Sequence, residues 1–199
     1  MNVKNEKYYH IHRKNEFTHL WIVGNKINFV SRKENAFNKY YNDYYPRLKI
    51  GDIAYPMTQA LDIILKKELY SNSDNSKIII QNIQSVTKEL AIYIRENIFE
   101  EIRANYFPTL PSRKSCLWVC REDSLEFWKK TLTGDCQIFE VSVTGVAHCA
   151  DQKYLPAEVL PCEIIREKAF NYWTGADGSN PIEEEILVEG VVEIIRLVD

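Results

Sequence analysis

The sequence predicts an α+β fold in which a small mixed or antiparallel β-sheet is flanked by helices. Three observations predict it. Segments with alternating or continuous apolar residues, typical of strands, occur near the N-terminus and again in the last half of the chain. Segments with apolar residues at helical spacing lie between them. The seven glycines form no phosphate-binding motif, so a Rossmann or P-loop fold is not expected.

The length and composition indicate one ordinary globular domain. The chain has 199 residues, of which 45% are hydrophobic and 27% are charged, as is typical of soluble proteins. The formal net charge of -3 provides no global basic field that would recruit nucleic acid. The N-terminal segment MNVKNEKYYH is polar, and no stretch approaches the roughly 18 apolar residues of a membrane span. We therefore expect a single cytoplasmic domain over residues 1–199, without membrane contact.

The N-terminal half is predicted to hold short strands followed by helices. YYHIHRKNE begins with the alternation of a strand, and HLWIVGNKINFV is expected to form two short strands around Gly24–Asn25. SRKENAFNKYYNDYY is expected to begin as a helix and to end before Pro46. A second helix is predicted over residues 58–70, and the polar segment 71–76 is predicted to be a loop.

A long helix follows, and it makes the stretch 56–108 a helical insertion in the domain. Ile92, Phe99 and Ile102 form one apolar stripe, and the charged side chains of the helix are interpreted as a solvated face. These charged residues are Arg95, Glu96, Glu100, Glu101 and Arg103. The two prolines of FPTLPSRKS must end the helix.

The C-terminal half is predicted to alternate strands and helices. SCLWVC is a short apolar strand that leads into the helix REDSLEFWKKTL. CQIFEVSVTG is predicted to be a strand that ends at Gly145, and Gly175 is predicted to close the helix in PAEVLPCEIIREKAFNYWTG. EEILVEGVVEIIRL then supplies one or two final strands.

The cysteines and histidines do not predict a metal site. The five cysteines include no CxxC pair, so we interpret them as buried reduced thiols. His10 and His12 are two residues apart and share one face of the first strand. No third ligand accompanies them, so no metal is expected.

Three consecutive glutamates, Glu183, Glu184 and Glu185, stand at the start of the last apolar strand. Clustered carboxylates repel one another once water is removed. The segment is therefore either a solvated acidic turn or a place where one carboxylate is held in a cleft for chemistry. The residue pattern leaves both interpretations open.

Five segments occur in an order that resembles the ADP-ribosyltransferase superfamily, whose members use NAD. They are YYHIHR, SRKSCLWVCREDSLEFW, CQIFEVSV, AFNYWTG and EEEILVEG. In that family an early strand bears a His or Arg near NAD, a second strand leads into a helix, and a late strand begins with a catalytic Glu, often as ExE. Residues 183–187, EEEIL, match the ExE pattern. The resemblance implies a split β-sheet with NAD in a cleft between two small sheets.

The resemblance also implies roles for individual residues. Glu185 would be catalytic, with Glu183 as the first acid of ExE. The carboxylate would stabilise the positive charge that develops on the ribose as its bond to nicotinamide breaks. The implied contact on the early strand is His10 or Arg13. The other implied NAD contacts are Arg113 or Arg13 for the diphosphate, with Arg113 alternatively at the ribose, Ser115 for the ribose or nicotinamide, and Trp118 or Tyr172 as an aromatic face for nicotinamide.

Each of these residues also has a structural interpretation. Residues such as Trp118 and Tyr172 more often pack in a core than line a cleft. Arg113 could cap the preceding helix or pair with an acidic neighbour, and Ser115 could face solvent. The glutamates could form the acidic turn described above.

The expected function is that of an NAD-dependent ADP-ribosyltransferase, similar to toxins of toxin–antitoxin or phage-defence modules. An antitoxin protein is implied by the resemblance alone. The alternatives are a non-catalytic binding module on the same fold, or an RNA-directed phosphotransferase or nuclease. The acceptor is a nucleic acid or a protein. Basic segments at 12–14, 31–33 and 112–114, beside the tyrosines of segment 40–45, would favour single-stranded nucleic acid if they formed one strip.

Overall fold

Strands and helices both contribute to the fold, so the predicted α+β class is confirmed. The computed structural model describes residues 1–15, 17–30, 34–70, 73–132, 134–175 and 180–198. The strands are β1 (Asn2–Arg13), β2 (Lys26–Phe29), β3 (Arg47–Ile50), β4 (Ile53–Pro56), β5 (Leu117–Val119), β6 (Cys136–Asp151) and β7 (Glu184–Val198). The α-helices are α1 (Ala36–Asn42), α2 (Met57–Lys66), α3 (Ser73–Tyr106), α4 (Leu125–Thr131) and α5 (Cys162–Trp173).

Five of the strands form one antiparallel sheet in the order β1–β6–β7–β2, with β5 also paired to β7. β3 and β4 form a separate two-stranded antiparallel ribbon. Tyr9 of β1 exchanges two backbone hydrogen bonds, of 2.9 and 2.8 Å, with Cys120 immediately after β5. The strands β1, β6, β7 and β5 are therefore linked into a closed ring.

The pair β6 and β7 is the longest in the sheet, and two glycines allow its close approach. Gly145 lies opposite Gly190 in the strand register. A Cβ atom on either glycine would collide with the backbone of the other strand. β6 consequently passes through Gly145 and continues to Asp151, so the prediction that it ends at Gly145 is wrong. This extension places Ala150 opposite Glu185.

The sheet buries side chains on both of its faces, because successive residues of a strand point in opposite directions. One set of alternate residues, including Val141 and Val188, packs with Tyr8 and Trp21 inside the ring of strands. The opposite set packs against α3 and α5, where Phe99 is fully buried. The candidate site lies in this second layer, between the sheet and the two helices.

Three local predictions about the first half of the chain are wrong. A strand was expected in HLWIV, but Thr18–Leu20 is a 3-10 helix, because Asn15 N donates to Thr18 Oγ1 at 2.9 Å and so forms a local turn. α2 ends at Lys66, before Glu68 adopts a left-handed φ of 51°. α3 begins at Ser73, within the predicted polar loop, whose residues 71–72 lie outside the described ranges.

The cysteines follow the prediction only in part. Cys116 and Cys120 are buried thiols, whereas Cys162 is exposed at the start of α5. Among the residues that the structure describes, no group of three or more His, Cys, Asp or Glu side chains could hold a metal ion. Within the same ranges, no helix is both long enough and apolar enough to cross a membrane.

Candidate functional site

A buried ionic cluster lies between the sheet and the helices α3 and α5. Arg113 is at its centre: its Nε donates to Glu96 Oε2 at 2.7 Å, and its Nη1 donates to the Tyr172 hydroxyl oxygen at 2.7 Å. The Glu185 carboxylate accepts from both Arg113 Nη1 and the Tyr172 hydroxyl. The exposed fractions are 4% for Arg113, 8% for Glu96, 8% for Glu185 and 0% for Tyr172. Water therefore screens these interactions only weakly.

Separate elements of the fold supply the members of this cluster. Glu185 is the second residue of β7, and alternation turns it towards the helices because Ile186 fills the ring of strands. Tyr172 lies in the last turn of α5, and Glu96 lies on α3. Arg113 lies in the connection from α3 to β5. The cluster therefore forms only when the helices dock on the sheet.

A second arginine balances the charge of the cluster. Arg95 Nη2 donates to Glu96 Oε1 at 2.7 Å, and Arg95 Nη1 donates to the carbonyl oxygen of Pro156 at 3.0 Å. Burial opposes the ionisation of Glu96, but the charges of Arg113 and Arg95 outweigh it and hold the pKa of Glu96 below its usual value. Burial also opposes the charge of Arg113, yet Glu185 and Glu96 raise the pKa of its guanidinium well above the usual value.

Arg113 also covers the two aromatic rings expected to contact NAD. Its guanidinium carbon lies 5.6 Å from the ring centroid of Trp118 and 5.3 Å from that of Tyr172, within the range of cation–π attraction. Burial raises the pKa of the Tyr172 hydroxyl well above its usual value, which keeps it protonated as a donor to Glu185. Four of the predicted site residues, Arg113, Trp118, Tyr172 and Glu185, thus meet in one place.

Ser115 is buried beside the cluster and does not face solvent. Its hydroxyl donates to Glu189 Oε1 at 2.8 Å, and the backbone N–H of Ser112 donates to the same oxygen at 3.0 Å. The Ser112 hydroxyl donates to Glu100 Oε1 at 2.8 Å. Glu189 and Glu100 therefore hold the loop that carries Arg113.

The three consecutive glutamates have three different environments. Glu183 ends a partly exposed 3-10 helix that precedes β7. Glu184 points away from Glu185 and accepts from Cys149 Sγ at 2.9 Å and from Arg121 Nη1 at 3.1 Å. Glu185 takes part in the buried cluster. The segment is therefore neither a wholly solvated turn nor a buried group of three carboxylates. Glu183 precedes the strand, and Glu184 and Glu185 point to opposite sides of it.

The two candidate contacts on β1 lie apart from the cluster. His10 stacks on Trp21 with ring centroids 4.2 Å apart, and its Nδ1 donates to the carbonyl oxygen of Trp118 at 2.8 Å. Burial lowers the pKa of His10 to about 3, so its imidazole is neutral near pH 7. His12 shares the same strand face, as predicted, with its ring 5.8 Å from that of His10. Arg13 is exposed at the end of β1.

The basic segments expected to form a strip contribute fewer free basic side chains than the sequence suggests, in the part of the chain that the structure describes. His12 is buried, and Lys14 forms an ion pair with Asp135 at 2.6 Å. Arg113 is buried in the ionic cluster. The third segment, 31–33, lies outside the described residues. Arg13 is exposed, but a basic segment in the sequence need not form a wholly basic surface, because the fold turns His12 and Arg113 inward and Lys14 towards an acid.

The tyrosines of segment 40–45 are divided between core and surface. Tyr41 is 8% exposed, whereas Tyr40 and Tyr45 are 52% and 57% exposed. A shallow groove of about 520 Å³ is lined by Ala36, Lys39, Tyr40, Asp43, Tyr44 and Tyr45. The exposed rings cover one rim of this groove and offer faces on which a flat group can stack.

Arg95 and Glu96 belong to the buried cluster, although their charge predicts a solvated face of the helix. Each is 8% exposed. The helical spacing contains the relevant signal, because both positions lie three or four residues from Ile92 and Phe99 of the apolar stripe. The solvated interpretation is confirmed for Glu101, which is exposed and pairs with an arginine of α5 at 2.8 Å.

Comparison with known proteins identifies a family but no activity. A family model described as a protein of unknown function (DUF2441) matches residues 8–199, which is nearly the whole chain. The chain therefore belongs to that family. No curated protein matches the chain.

Proposed function

We propose that this member of the DUF2441 family is an NAD-dependent ADP-ribosyltransferase that acts on a macromolecular acceptor. The observation that supports the proposal is the meeting of Arg113, Trp118, Tyr172 and Glu185 in one contact network. These residues come from three separate segments that resemble the transferase family. A toxin role in a toxin–antitoxin or phage-defence module, with an antitoxin partner, is part of the same proposal.

The side chains of the cluster match the chemical demands of NAD. A guanidinium suits the diphosphate because it donates in a fork. An aromatic ring suits the flat, positively charged nicotinamide. The carboxylate of Glu185 would stabilise positive charge on the ribose when the bond to nicotinamide breaks. His10, as a neutral imidazole bonded to the backbone of Trp118, would orient the β5 strand beside this cluster.

The cluster is closed, so NAD binding requires a rearrangement. The donors of Arg113 already serve Glu96, Glu185 and Tyr172, and the guanidinium covers the face of Trp118. A diphosphate would have to replace at least one carboxylate at Arg113. If the rearranged state that can bind NAD is a small fraction of the population, the apparent affinity for NAD is the intrinsic affinity multiplied by that fraction.

A non-catalytic binding module is the second candidate, and the same closure favours it. Glu96 accepts from Arg95 and Arg113, and Glu185 accepts from Arg113 and Tyr172. The buried charges are therefore satisfied by one another. In this case the cluster would dock α3 and α5 on the sheet and would have no reacting partner.

Two measurements on the same protein separate the candidates. A thermal scan with NAD is expected to raise the melting temperature, because a ligand that binds only the folded state stabilises it. Incubation with adenine-labelled NAD is expected to release nicotinamide and to label RNA, single-stranded DNA or lysate protein. NAD binding without nicotinamide release would favour the binding module. The absence of both effects would contradict the transferase proposal.

A further inference from the structure

The N-terminal half of α3 exposes a row of large apolar side chains. The helix has 34 residues, and its C-terminal half packs on α5 through Phe99 and Ile102. Its N-terminal half packs on the small α2 and β3 cluster through Ile79. The exposed apolar side chains are Ile78 (55%), Ile80 (65%), Ile83 (39%), Leu90 (40%), Tyr93 (39%) and Ile94 (43%). Such a concentration on one helix is typical of an interaction surface.

The spacing of this row is that of a helix–helix seam. Positions 80, 83, 87, 90 and 94 follow steps of three, four, three and four residues, which is the apolar repeat of two packed helices. Thr87 occupies the central position and is exposed. The row is separate from the inward positions of the same helix, among which Ile79 packs on the neighbouring cluster.

We infer that this row, which we call the α3 seam (residues 78–94), pairs with the α3 seam of a second copy of the chain in antiparallel orientation. A two-fold interface must be self-complementary, because each surface meets itself. In an antiparallel pair, Ile80 meets Leu90 of the partner copy, and Ile83 meets Thr87 of the partner copy. In the same register, Ile78 lies opposite Ile92 and Ile94 lies opposite Ser76 of the partner copy. The three exposed apolar positions between 80 and 90, which are Ile80, Ile83 and Leu90, are thereby covered.

The charge distribution of the α3 seam also favours a second copy. Within residues 78–94, the charged residues are Lys88 and Glu89. Glu89 is half-buried on the side that faces Tyr41. In the antiparallel register, Lys88 lies near Asn82 of the partner copy, so no like charges oppose one another. A highly charged seam would instead require a partner of opposite charge.

Sedimentation equilibrium over micromolar to millimolar protein concentrations tests this inference. We expect the wild type to dimerise and the single variants Ile80→Lys and Leu90→Glu to remain monomeric, because each places a charge in the seam. Ile22→Lys is the matched control, since Ile22 is 58% exposed in a turn far from α3 in the sequence, and it should dimerise like the wild type. A circular dichroism spectrum like that of the wild type establishes that each variant is folded.

The double variant Ile80→Lys, Leu90→Glu tests the orientation. In an antiparallel pair each new lysine meets a new glutamate, so the dimer should be restored. In a parallel pair lysine meets lysine and glutamate meets glutamate, so the chain should stay monomeric. A monomeric wild type, or seam variants that dimerise like the wild type, would overturn the inference. A monomeric double variant would overturn the antiparallel register. None of these readouts depends on NAD.

Discussion

Arg113 and Glu185 form a buried ion pair although they are 72 positions apart in the chain. Their side chains are 4% and 10% exposed, and the Tyr172 hydroxyl donates to the same carboxylate oxygen. This pair joins the connection before β5 to the first residues of β7. Substitutions of these two residues can therefore distinguish a structural role of the cluster from the proposed catalytic role.

The first prediction concerns Glu185. Glu185→Gln keeps a hydrogen-bond acceptor of the same shape but removes the charge, so we expect nicotinamide release from NAD to fall by about a hundredfold or more. Glu184→Gln is the matched control, because Glu184 points to the opposite side of β7. Release is measured by chromatography at saturating NAD. Equal rates in the two variants would exclude Glu185 as the catalytic carboxylate.

The second prediction concerns the stability of the cluster. Arg113→Met leaves Glu185 without its arginine, and breaking a buried ion pair in this way should lower the free energy of unfolding by about 3–5 kcal/mol. Urea denaturation followed by circular dichroism measures it. Arg13→Met, at an exposed position, should change stability by no more than about 0.5 kcal/mol.

A double variant extends this test. Combining Arg113→Met with Glu185→Gln removes one positive and one negative charge and leaves the Arg95–Glu96 pair intact. We expect it to be more stable than Arg113→Met alone, because no buried charge is left unpaired. Simple addition of the two single effects would mean that the pair is not energetically coupled.

The third prediction concerns pH and His10. The unfolded chain binds a proton at His10 with a pKa near 6.5, whereas burial lowers the folded-state pKa to about 3. The contribution of His10 to the free energy of unfolding is therefore fully present above pH 6.5. It is lost progressively as the pH falls towards 3, by about 1.4 kcal/mol per pH unit. His10→Asn retains a donor for the Trp118 carbonyl but cannot take up this proton. It should therefore reduce the slope of the free energy of unfolding against pH by the contribution of one proton. Urea denaturation of the wild type and of His10→Asn from pH 7 down to pH 5 measures the two slopes. Equal slopes in the two proteins would refute the lowered pKa of His10.

The fourth prediction concerns Gly145. A methyl group there would collide with the backbone of Glu189 and Gly190, so Gly145→Ala should lower the free energy of unfolding by about 1–3 kcal/mol or more. Gly134→Ala is the comparison, because its surroundings are open and only its φ of 115° opposes a side chain. Its cost should be about 1 kcal/mol. A smaller loss for Gly145→Ala would show that the two strands can separate locally.

The sequence alone determined the fold class and most of the element types. Helical spacing predicted α3, α4 and α5, and the apolar run after Glu185 predicted β7, because these signals are local and repeat within a few residues. The same spacing also placed Arg95 and Glu96 beside the buried stripe, although their charge was interpreted as a sign of solvent exposure. That error arose because burial of a charged residue depends on a partner that local pattern does not reveal.

Which residues meet depends on contacts between elements that are far apart in the chain. The passage of β6 through Gly145 depends on the glycine opposite it on β7, which is 45 positions away in the chain. The burial of Arg113 depends on carboxylates from α3 and β7, and without them its desolvation would be prohibitive. His10 and Arg13 are three positions apart, but their environments differ. His10 stacks on the ring of Trp21, whereas Arg13 is exposed at the end of β1. Local sequence sets the direction of a side chain along its own strand or helix, but its environment is set by the elements that pack against it.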